Sequence, residues 1–294
     1  MVTTDTGSTP PPKPRDDEID VFGLTHVGKV RPANEDHFLM GSLHQSLKVL
    51  STSLSAPERL VLDGERLAFL AMIADGVGGG RKGEEASRMV LEEVTTYIAD
   101  STRVFYQGDA QGDDFTQILQ DAATRVHERV QALAEADSER RGMATTLTLY
   151  FSVWPWIYLL QVGDSRYYLY HKGELTQVTR DQTMAQELVD QGVLKRTDAF
   201  NTRWANVLSS SIGGKQTAPV VTRLLQRPGN VHLMCTDGLT KHVADAQIAE
   251  RLRTMTSAKQ VCEALLEDAL AGGGTDNITI LVGRVKVTEP AVGT

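Results

Sequence analysis

An apolar segment at residues 67–74 constrains the fold of this chain more than any other feature of its sequence. All eight side chains are apolar, and the segment ends at Asp75-Gly76, a common turn signal. A short apolar run with such an end predicts a β-strand that is buried on both faces. A strand of this kind needs other layers packed on each side of its sheet, so the sequence indicates a layered domain.

The remaining periodic segments predict short strands and paired helices. Apolar residues recur at helical spacing in residues 84–98, 113–136, 183–191, 245–255 and 258–271. Strands are expected at residues 19–24, 145–153, 156–162, 167–171 and 278–287. A hairpin is expected from residues 220–225 and 231–235, around a Pro-Gly-Asn turn. Many short strands with helices in pairs predict an α+β domain instead of alternating β-α-β units.

Composition divides the chain into one domain and two tails. Hydrophobic residues make up 41% of the 294 residues, which is enough for a packed core. Residues 1–18 are rich in Pro, Ser and Thr and lack core-forming side chains, so we expect a flexible tail. Residues 19–288 are expected to form one domain, followed by a short tail at residues 289–294. Within the domain, residues 41–65 are expected to be an irregular excursion.

Charge and cysteine content exclude several kinds of partner and site. The chain has 30 Lys and Arg against 38 Asp and Glu, and its net charge of −8 argues against nucleic acid as the main partner. Two cysteines cannot make a disulfide framework or a four-ligand zinc site, and they indicate a reducing, cytoplasmic location. The apolar stretch at residues 147–162 is too short and interrupted for a membrane span. No signal peptide is visible, and we expect a monomer.

Acidic residues at the ends of predicted strands carry the most information about function. Asp75, Asp164 and Asp237 each follow an apolar strand and stand beside Gly, Ser or both. Asp276 comes just before a strand, as does Glu35-Asp36. Ordinary turn chemistry explains any one of these residues. Turns do not require an acid at every site, however, and the whole set indicates a centre for hard divalent cations.

The donor type of this set favours Mg²⁺ or Mn²⁺ over zinc. All of its candidate ligands are oxygens, with no His or Cys among them. Binuclear sites of such ions clamp the attacking and leaving oxygens of a phosphoryl displacement. Arg31, in the same segment as Glu35-Asp36, could grip a phosphate in a bidentate manner or could be an ordinary solvated residue.

Six short motifs occur in an order that belongs to a known family. The chain resembles the metal-dependent serine/threonine protein phosphatases of the 2C type, in their bacterial single-domain form, from residue 22 to residue 285. The motifs are Arg31-Pro32-Ala33-Asn34-Glu35-Asp36, Ala74-Asp75-Gly76-Val77-Gly78-Gly79, Gly142-Met143-Ala144-Thr145-Thr146, Val162-Gly163-Asp164-Ser165-Arg166, Cys235-Thr236-Asp237-Gly238-Leu239 and Thr275-Asp276-Asn277-Ile278-Thr279.

The resemblance implies a fold and a first metal site. The fold is a four-layer α-β-β-α sandwich, in which two packed antiparallel sheets are flanked by helix pairs and residues 19–288 form the phosphatase catalytic domain. Asp75 is expected to be catalytic and to bridge two Mn²⁺ or Mg²⁺ ions, and Gly76 to offer its carbonyl oxygen to one of them. Asp237 and Asp276 are expected to complete the first site.

The resemblance also implies a second site, a third site and a substrate-binding residue. Asp36, together with Glu35, is expected to hold the second ion, largely through water. Asp164, together with Asp237, resembles the ligands of a possible third ion. Arg31 is expected to be catalytic by binding the phosphate of the substrate. Water activated by the two metals then attacks phosphorus directly, and no phosphoenzyme is expected.

The function implied is hydrolysis of phosphoserine and phosphothreonine in proteins, opposing a bacterial Ser/Thr kinase. The expected partners are therefore phosphorylated proteins. Two alternatives stay open at this point: a phosphatase of small phosphate monoesters, and a catalytically weak module that binds phosphoproteins. Residues 180–215 correspond to the variable flap near the site. Val77 stands where animal members carry a histidine that is proposed as the general acid.

Overall fold

Two five-stranded antiparallel sheets form the centre of the molecule. The computed structural model describes residues 12–44, 64, 66–79, 81–105, 112–199 and 202–286. The elements in chain order are β1 (Ile19–His26), β2 (His37–His44), β3 (Arg66–Ala74), β4 (Gly76–Val77), α1 (Arg81–Phe105), α2 (Gly112–Ala136), β5 (Ala144–Thr145), β6 (Leu147–Val153), β7 (Trp156–Val162), β8 (Arg166–His171), β9 (Glu174–Gln177), α3 (Met184–Asp190), α4 (Arg196–Ala199), β10 (Val220–Leu225), β11 (Val231–Cys235), α5 (Asp237–Thr240), α6 (Asp245–Arg253), α7 (Ala258–Ala271) and β12 (Ile278–Val285).

The strand order combines distant parts of the chain in each sheet. Sheet 1 has the order β1-β12-β11-β8-β9, and sheet 2 has the order β10-β7-β6-β3-β2. Every ladder in both sheets is antiparallel. Strand β1 pairs along its whole length with β12, so the two ends of the domain are held in one sheet.

The predicted four-layer sandwich is confirmed by three layers of packed apolar side chains. Helices α1 and α2 cover the outer face of sheet 2 through residues such as Val94 and Leu119. Helices α6 and α7 cover the outer face of sheet 1 through residues such as Ile248 and Leu265. Between the sheets, Ile73 and other inner-face side chains form a third cluster. Burial of this apolar surface is the main favourable contribution to the free energy of folding.

Strand β3 shows why the apolar run at residues 67–74 needed cover on both sides. Side chains point to opposite faces at successive strand positions. Leu70 and Met72 face the helices, whereas Ala71 and Ile73 face the other sheet, and all four are buried. Both faces of strand β3 are therefore buried, as the sequence predicted. In the described residues, no helix is long and apolar enough to cross a membrane.

The prediction of a hairpin from residues 220–225 and 231–235 is wrong. Strand β10 pairs with β7 at the edge of sheet 2, whereas β11 lies between β8 and β12 in sheet 1. The turn between them therefore carries the chain from one sheet to the other. The burial of the two strands differs accordingly, because every residue of β11 is buried whereas the residues of β10 are exposed or only partly buried. A turn sequence specifies a reversal, but the partners of each strand are set by burial.

Two further expectations differ from the structure at their boundaries. Residues 41–44, expected to be irregular, continue β2 as the partner of β3. In the expected N-terminal tail, Asp16–Glu18 form a short 3₁₀ turn, and Arg66 binds both the carboxylate of Asp16 and the carbonyl oxygen of Pro14. Residues 1–11, 45–63, 65 and 287–294 lie outside the described residues, and so do the parts of the predicted tails and excursion that fall there.

The topology brings the ends of five strands to one edge of the sandwich. Strand β2 starts where β3 ends, because His37 pairs with Ala74. Strand β11 ends where β12 begins, and Cys235 pairs with Ile280. Strand β7 ends nearby in sheet 2, since Leu147 pairs with Val162 next to β3. Residues just outside these strand ends are therefore neighbours in space, although they are far apart in sequence.

Candidate active site

The predicted site residues meet in one cleft at this edge of the sandwich. Seven of the eight line the cleft, and the eighth, Asp36, is buried beside it. The residues lining the cleft are Arg31, Glu35, Asp75, Gly76, Asp164, Asp237 and Asp276. Residues 206–215 of the predicted flap supply part of another wall. The acids lie at the ends of five different strands, so they come together only in the folded chain.

Asp36 is fixed by two hydroxyl groups, one from the residue after β11 and one from the start of β12. Its side chain is almost completely buried, with 3% of the residue exposed. Its Oδ2 atom accepts hydrogen bonds from Thr236 Oγ1 at 2.9 Å and from Thr279 Oγ1 at 2.7 Å. Its Oδ1 atom is buried without a hydrogen-bond partner among the described residues. One oxygen of this carboxylate is thus oriented by the fold, and the other is available to a ligand.

Asp75 is held through its backbone, which leaves its carboxylate free to face the cleft. Its carbonyl oxygen accepts from the Thr146 N–H at 2.9 Å and from Thr145 Oγ1 at 2.8 Å. Its N–H donates to Thr146 Oγ1 at 3.0 Å. The hydroxyls of both threonines are thus used to position the turn after β3.

Close backbone contacts around Gly76 explain the glycines near the site. A β-carbon at Gly76 would collide with the carbonyl oxygen of Gly83 and would lie 2.8 Å from the carbonyl oxygen of Glu35. A β-carbon at Gly83 would collide with the carboxylate of Glu35. The start of α1 is therefore pressed against the metal-ligand candidates, and only glycine permits this approach. Ser87, one turn further along α1, donates to the Glu35 carbonyl oxygen at 2.5 Å.

Two cations bind the carboxylates at the mouth of the cleft. Arg31 contacts Asp276 in a bidentate manner, with Nε 2.7 Å from Oδ1 and a terminal nitrogen 2.9 Å from Oδ2. Lys241 Nζ lies 2.7 Å from Asp237 Oδ2 and 2.6 Å from Asp276 Oδ2. Both acids are therefore held by nitrogen donors at the mouth of the cleft.

The positive charges of Arg31 and Lys241 do not balance the negative charge of the clustered carboxylates. Burial, followed by the charges of neighbouring aspartates, raises the pKa of Asp75 well above its usual value. The same causes raise the pKa of Asp36 to about 7, against hydrogen bonds from two threonines, and that of Asp164 to about 8. Burial would also raise the pKa of Asp276, but the hydrogen bonds from Arg31 and Lys241 lower it below its usual value. Burial also raises the pKa of Asp237, against the lowering effect of its contact with Lys241.

The residues fit divalent cations in chemistry but are not yet arranged around one point. In the described part of the chain, no three His, Cys, Asp or Glu side chains converge as ready ligands. The contacts of Asp237 and Asp276 with Lys241 account for this arrangement. Buried oxygens without partners, Asp36 Oδ1 and Asp237 Oδ1, are what a hard cation requires.

Sequence analysis missed two residues that organise the site. Lys241 stands four residues after Asp237, at the end of α5, and i,i+4 spacing on a helix is the signal that could have found it. Asn277 accepts from the Glu35 N–H at 2.8 Å and donates to the carbonyl oxygens of Val27 and Ala33 at 2.9 Å. It therefore links the segment that contains Arg31 to the start of β12. No local sequence pattern predicts this role.

Other groups considered from the sequence have structural roles. Cys235 and Cys262 are buried, and burial raises the pKa of each thiol to about 12, which makes both unsuitable as nucleophiles. Arg166 forms a partly buried ion pair with Asp181 at 2.7 Å. The Nδ1 atom of His37 lies 3.0 Å from Ser87 Oγ, and Ser87 in turn donates to the carbonyl oxygen of Glu35.

Comparison with known proteins places the chain in a family. A family model described as protein phosphatase 2C matches residues 60–271, which is most of the chain. The chain belongs to the protein phosphatase 2C family. The serine/threonine protein phosphatase PstP of Mycobacterium tuberculosis is 34% identical over 218 residues, which cover 74% of this chain and 40% of PstP. This chain thus matches less than half the length of that relative.

Other relatives match over most of their own length. The serine/threonine phosphatase stp of Listeria innocua is 28% identical over 214 residues, with 72% of this chain and 83% of that protein covered. A crystal structure of M. tuberculosis PstP aligns with a TM-score of 0.73 at 29% identity and covers 91% of this chain. The catalytic domain of PstP in complex with two manganese ions aligns with a TM-score of 0.67 at 28% identity, over 91% of this chain and 98% of that one.

Proposed function

We propose that this protein hydrolyses phosphoserine and phosphothreonine in proteins, with divalent cations held by the cleft carboxylates. The observation that carries the proposal is the meeting of five buried or half-buried aspartates and Arg31 at one edge of the sandwich. Family membership supports the same reaction class, since the matched relatives from M. tuberculosis and L. innocua are named serine/threonine phosphatases.

The chain offers a full set of oxygen ligands for two ions of Mn²⁺ or Mg²⁺. Asp75 would serve both ions and the Gly76 carbonyl oxygen one of them, Asp237 and Asp276 would complete the first site, and Asp36 with Glu35 would complete the second. Asp164, with Asp237, is the candidate for a third ion. Bound cations of this kind supply an acidified water and neutralise charge on the phosphoryl group. The PstP catalytic domain was solved with two manganese ions, which supports the two core sites.

Arg31 has the position and the exposure that a phosphate-binding residue needs. Its side chain is 47% exposed, and its guanidinium already binds the two oxygens of one carboxylate. A phosphate presents the same pair of acceptors, so Arg31 can exchange Asp276 for the substrate without losing its bidentate geometry. Asp276 is then released to act as a ligand.

Buried hydroxyls near the acids support direct attack by water. Thr146 Oγ1 and Ser165 Oγ lie 2.9 Å apart and are both buried, and Thr145 Oγ1 donates to the Asp75 carbonyl oxygen. None of these three groups points freely at a substrate. The proposed reaction therefore passes through no phosphoenzyme.

The finer parts of the proposal concern partners and setting. The phosphoproteins would be products of a Ser/Thr kinase, and the protein would act as a monomer in the cytoplasm. Val77, Arg141 and Lys215 line the cleft around the acids and would contact the substrate chain. These side chains present one apolar and two cationic groups to a phosphopeptide.

Hydrolysis assays on two substrates test the proposal. Purified protein is assayed with saturating Mn²⁺, and with EDTA, on p-nitrophenyl phosphate and on a phosphothreonine peptide. We expect both substrates to be hydrolysed with Mn²⁺ and neither with EDTA. Hydrolysis of the small ester alone would replace the proposal with a monoester phosphatase. Binding of the peptide without turnover of either substrate would favour a recognition module.

A further inference from the structure

Positive charge is concentrated on one wall of the acidic cleft. Arg141 and Lys215 line the cleft from the loops at residues 140–143 and 211–216, and Lys82 Nζ contacts the backbone of Arg141. These three residues are called the basic wall below. Arg141 and Lys215 are exposed, and neither side chain forms an ion pair with another described residue. The wall therefore carries unpaired positive charge in a chain whose net charge is −8.

Strand β5 fixes both loops relative to Asp75. Thr145 of β5 pairs with Gly76, and its hydroxyl donates to the Asp75 carbonyl oxygen at 2.8 Å. Thr145 also exchanges backbone hydrogen bonds with Ile212, at 3.0 Å and 2.9 Å. The chain segments that carry the two cations are therefore attached to the same short strand as the turn that carries Asp75.

Contacts from the helices hold the backbone of the basic wall in place. Gln131 of α2 donates to the Gly214 carbonyl oxygen at 2.7 Å, next to Lys215. Lys82 of α1 donates to the Arg141 carbonyl oxygen at 3.2 Å. The fold thus fixes the positions of these cations, while the exposed ends of the Arg141 and Lys215 side chains are left to contact a partner.

Both exposed cations are near enough to contact residues that flank a bound phosphorylated residue. Arg141 stands three residues before β5, and Lys215 stands three residues after Ile212. Three residues of chain span at most ~11 Å. An extended peptide advances ~3.3 Å per residue. The basic wall therefore lies within about three peptide residues of a phosphothreonine bound at Asp75.

The acids near the basic wall do not cancel its charge. Among the described residues that line the cleft, Glu135 is the acid outside the proposed metal ligands. Its single charge stands against the three charges of the wall. Asp75 and the other proposed ligands would be neutralised by bound divalent cations. An acidic side chain of a substrate is therefore attracted to this side of the cleft.

We propose that the basic wall makes the protein prefer substrates with Asp or Glu within about three residues of the phosphorylated residue. This preference rests on the proposed function, because it concerns the substrates of the same site. The guanidinium of Arg141 can bind a carboxylate in a bidentate manner, and Lys215 adds a second point charge. Exposed ion pairs are weakened by salt, so the preference is expected to fall as ionic strength rises.

Binding of two phosphonate peptides to the full chain tests this preference. In each peptide, a methylene group replaces the ester oxygen of phosphothreonine, so the peptide is not a substrate for ester hydrolysis. One peptide has Glu at the three positions on either side, and the other has Gln there. Fluorescence anisotropy with saturating Mn²⁺ gives the two dissociation constants. We expect the Glu peptide to bind about tenfold more tightly at low salt, and this advantage to shrink to about twofold or less at ~0.5 M NaCl.

Two double variants locate the preference on the basic wall. Arg141→Met with Lys215→Met should reduce the advantage of the Glu peptide to about twofold or less. Lys172→Met with Arg227→Met is a matched control, since it removes the same charge from exposed turns after β8 and β10, at the edge of the sandwich opposite to the cleft. The control should keep the wild-type advantage.

Four results would overturn the preference for acidic substrates. They are a lack of saturable binding of the Glu peptide, equal binding of both peptides by the wild-type protein at low salt, an unchanged advantage in the wall variant, and a lost advantage in the control. The binding measurement needs no turnover. A protein that keeps the preference but does not hydrolyse a phosphothreonine peptide would contradict the proposed function alone.

Discussion

Replacing Lys241 with methionine should tighten the binding of Mn²⁺. The ammonium group of Lys241 lies 2.7 Å and 2.6 Å from carboxylate oxygens of Asp237 and Asp276, which are two proposed metal ligands. A cation can take these oxygens only if Lys241 releases them, and a bound cation is repelled by the ammonium group. The lysine therefore competes with the metal, and methionine keeps its length without its charge.

The size of the effect follows from the geometry. At an effective dielectric constant of 20, each contact has a Coulomb energy of ~6 kcal/mol. Desolvation of a side chain that is only 27% exposed offsets most of this attraction. Hydrogen bonds to charged groups contribute ~1.5–3 kcal/mol in measured cases. A net value of ~2 kcal/mol corresponds to roughly 30-fold tighter binding, because 1.4 kcal/mol is a factor of ten.

Isothermal titration calorimetry of the metal-free protein with MnCl₂ measures this change. Lys259→Met is a matched control, since Lys259 also faces an acid at i+4, Glu263, but on the exposed surface of α7. The control should leave the dissociation constant for Mn²⁺ unchanged. A dissociation constant for Lys241→Met that equals or exceeds the wild-type value would refute the competition between lysine and metal.

Three further predictions concern the acids and their support. Asp164→Asn should reduce the rate of phosphate release severalfold while the two tightest Mn²⁺ sites remain in calorimetry; loss of a tight site would contradict the assignment. Gly76→Ala forces a β-carbon against the backbone carbonyl groups of Gly83 and Glu35 and should lower the free energy of unfolding in urea by ~1–3 kcal/mol, whereas Gly41→Ala, with open space around it, should not. The pKa values of Asp36 and Asp164 are raised in the folded state, so the metal-free protein loses stability as pH rises from about 4 through 8. Its melting temperature should therefore be higher at pH 5.5 than at pH 8. Mn²⁺ should remove this difference. A melting temperature that rises with pH in EDTA would show that these acids are not the ones under strain.

Much of the fold could be predicted because its strongest signals are local. The apolar run that became β3 has side chains suited to burial on both faces, and its turn signal marked the end of the strand. The periodic segment at residues 113–136 coincides closely with α2 (Gly112–Ala136). In both cases, the pattern within the segment reflects the layer on which it packs.

The errors occur where distant partners decide the structure. The turn between β10 and β11 was recognised, but the strands enter different sheets because β11 is a buried central strand and β10 an edge strand. Gly41 and Ser42 resemble loop residues, yet their backbone pairs with β3. Asp16 is polar in sequence but is bound by Arg66, fifty residues away. None of these contacts leaves a local trace in the sequence.

The site shows the same division between local motifs and converging contacts. The order of the motifs in the sequence identified the acids as candidate metal ligands. The topology of the sheets brings them to one edge of the sandwich. Lys241 and Asn277 escaped notice, because their roles depend on the approach of α5 and the Arg31 segment to the start of β12. Sequence motifs predict which residues carry the chemistry, whereas the contacts that restrain them are visible only in three dimensions. The metal-binding roles stay a prediction.

Release of phosphate from a phosphothreonine peptide by Asp75→Asn, as a function of Mn²⁺ concentration, tests the central claim most directly. Burial and the charges of neighbouring aspartates raise the pKa of Asp75 well above its usual value, and asparagine preserves the shape of the side chain while removing its charge. Circular dichroism establishes that the variant is folded. We expect saturable, Mn²⁺-dependent release by the wild-type protein and a loss of at least about a thousandfold in Asp75→Asn. Wild-type turnover by the folded variant would contradict the assignment of the carboxylate cluster as the catalytic metal centre.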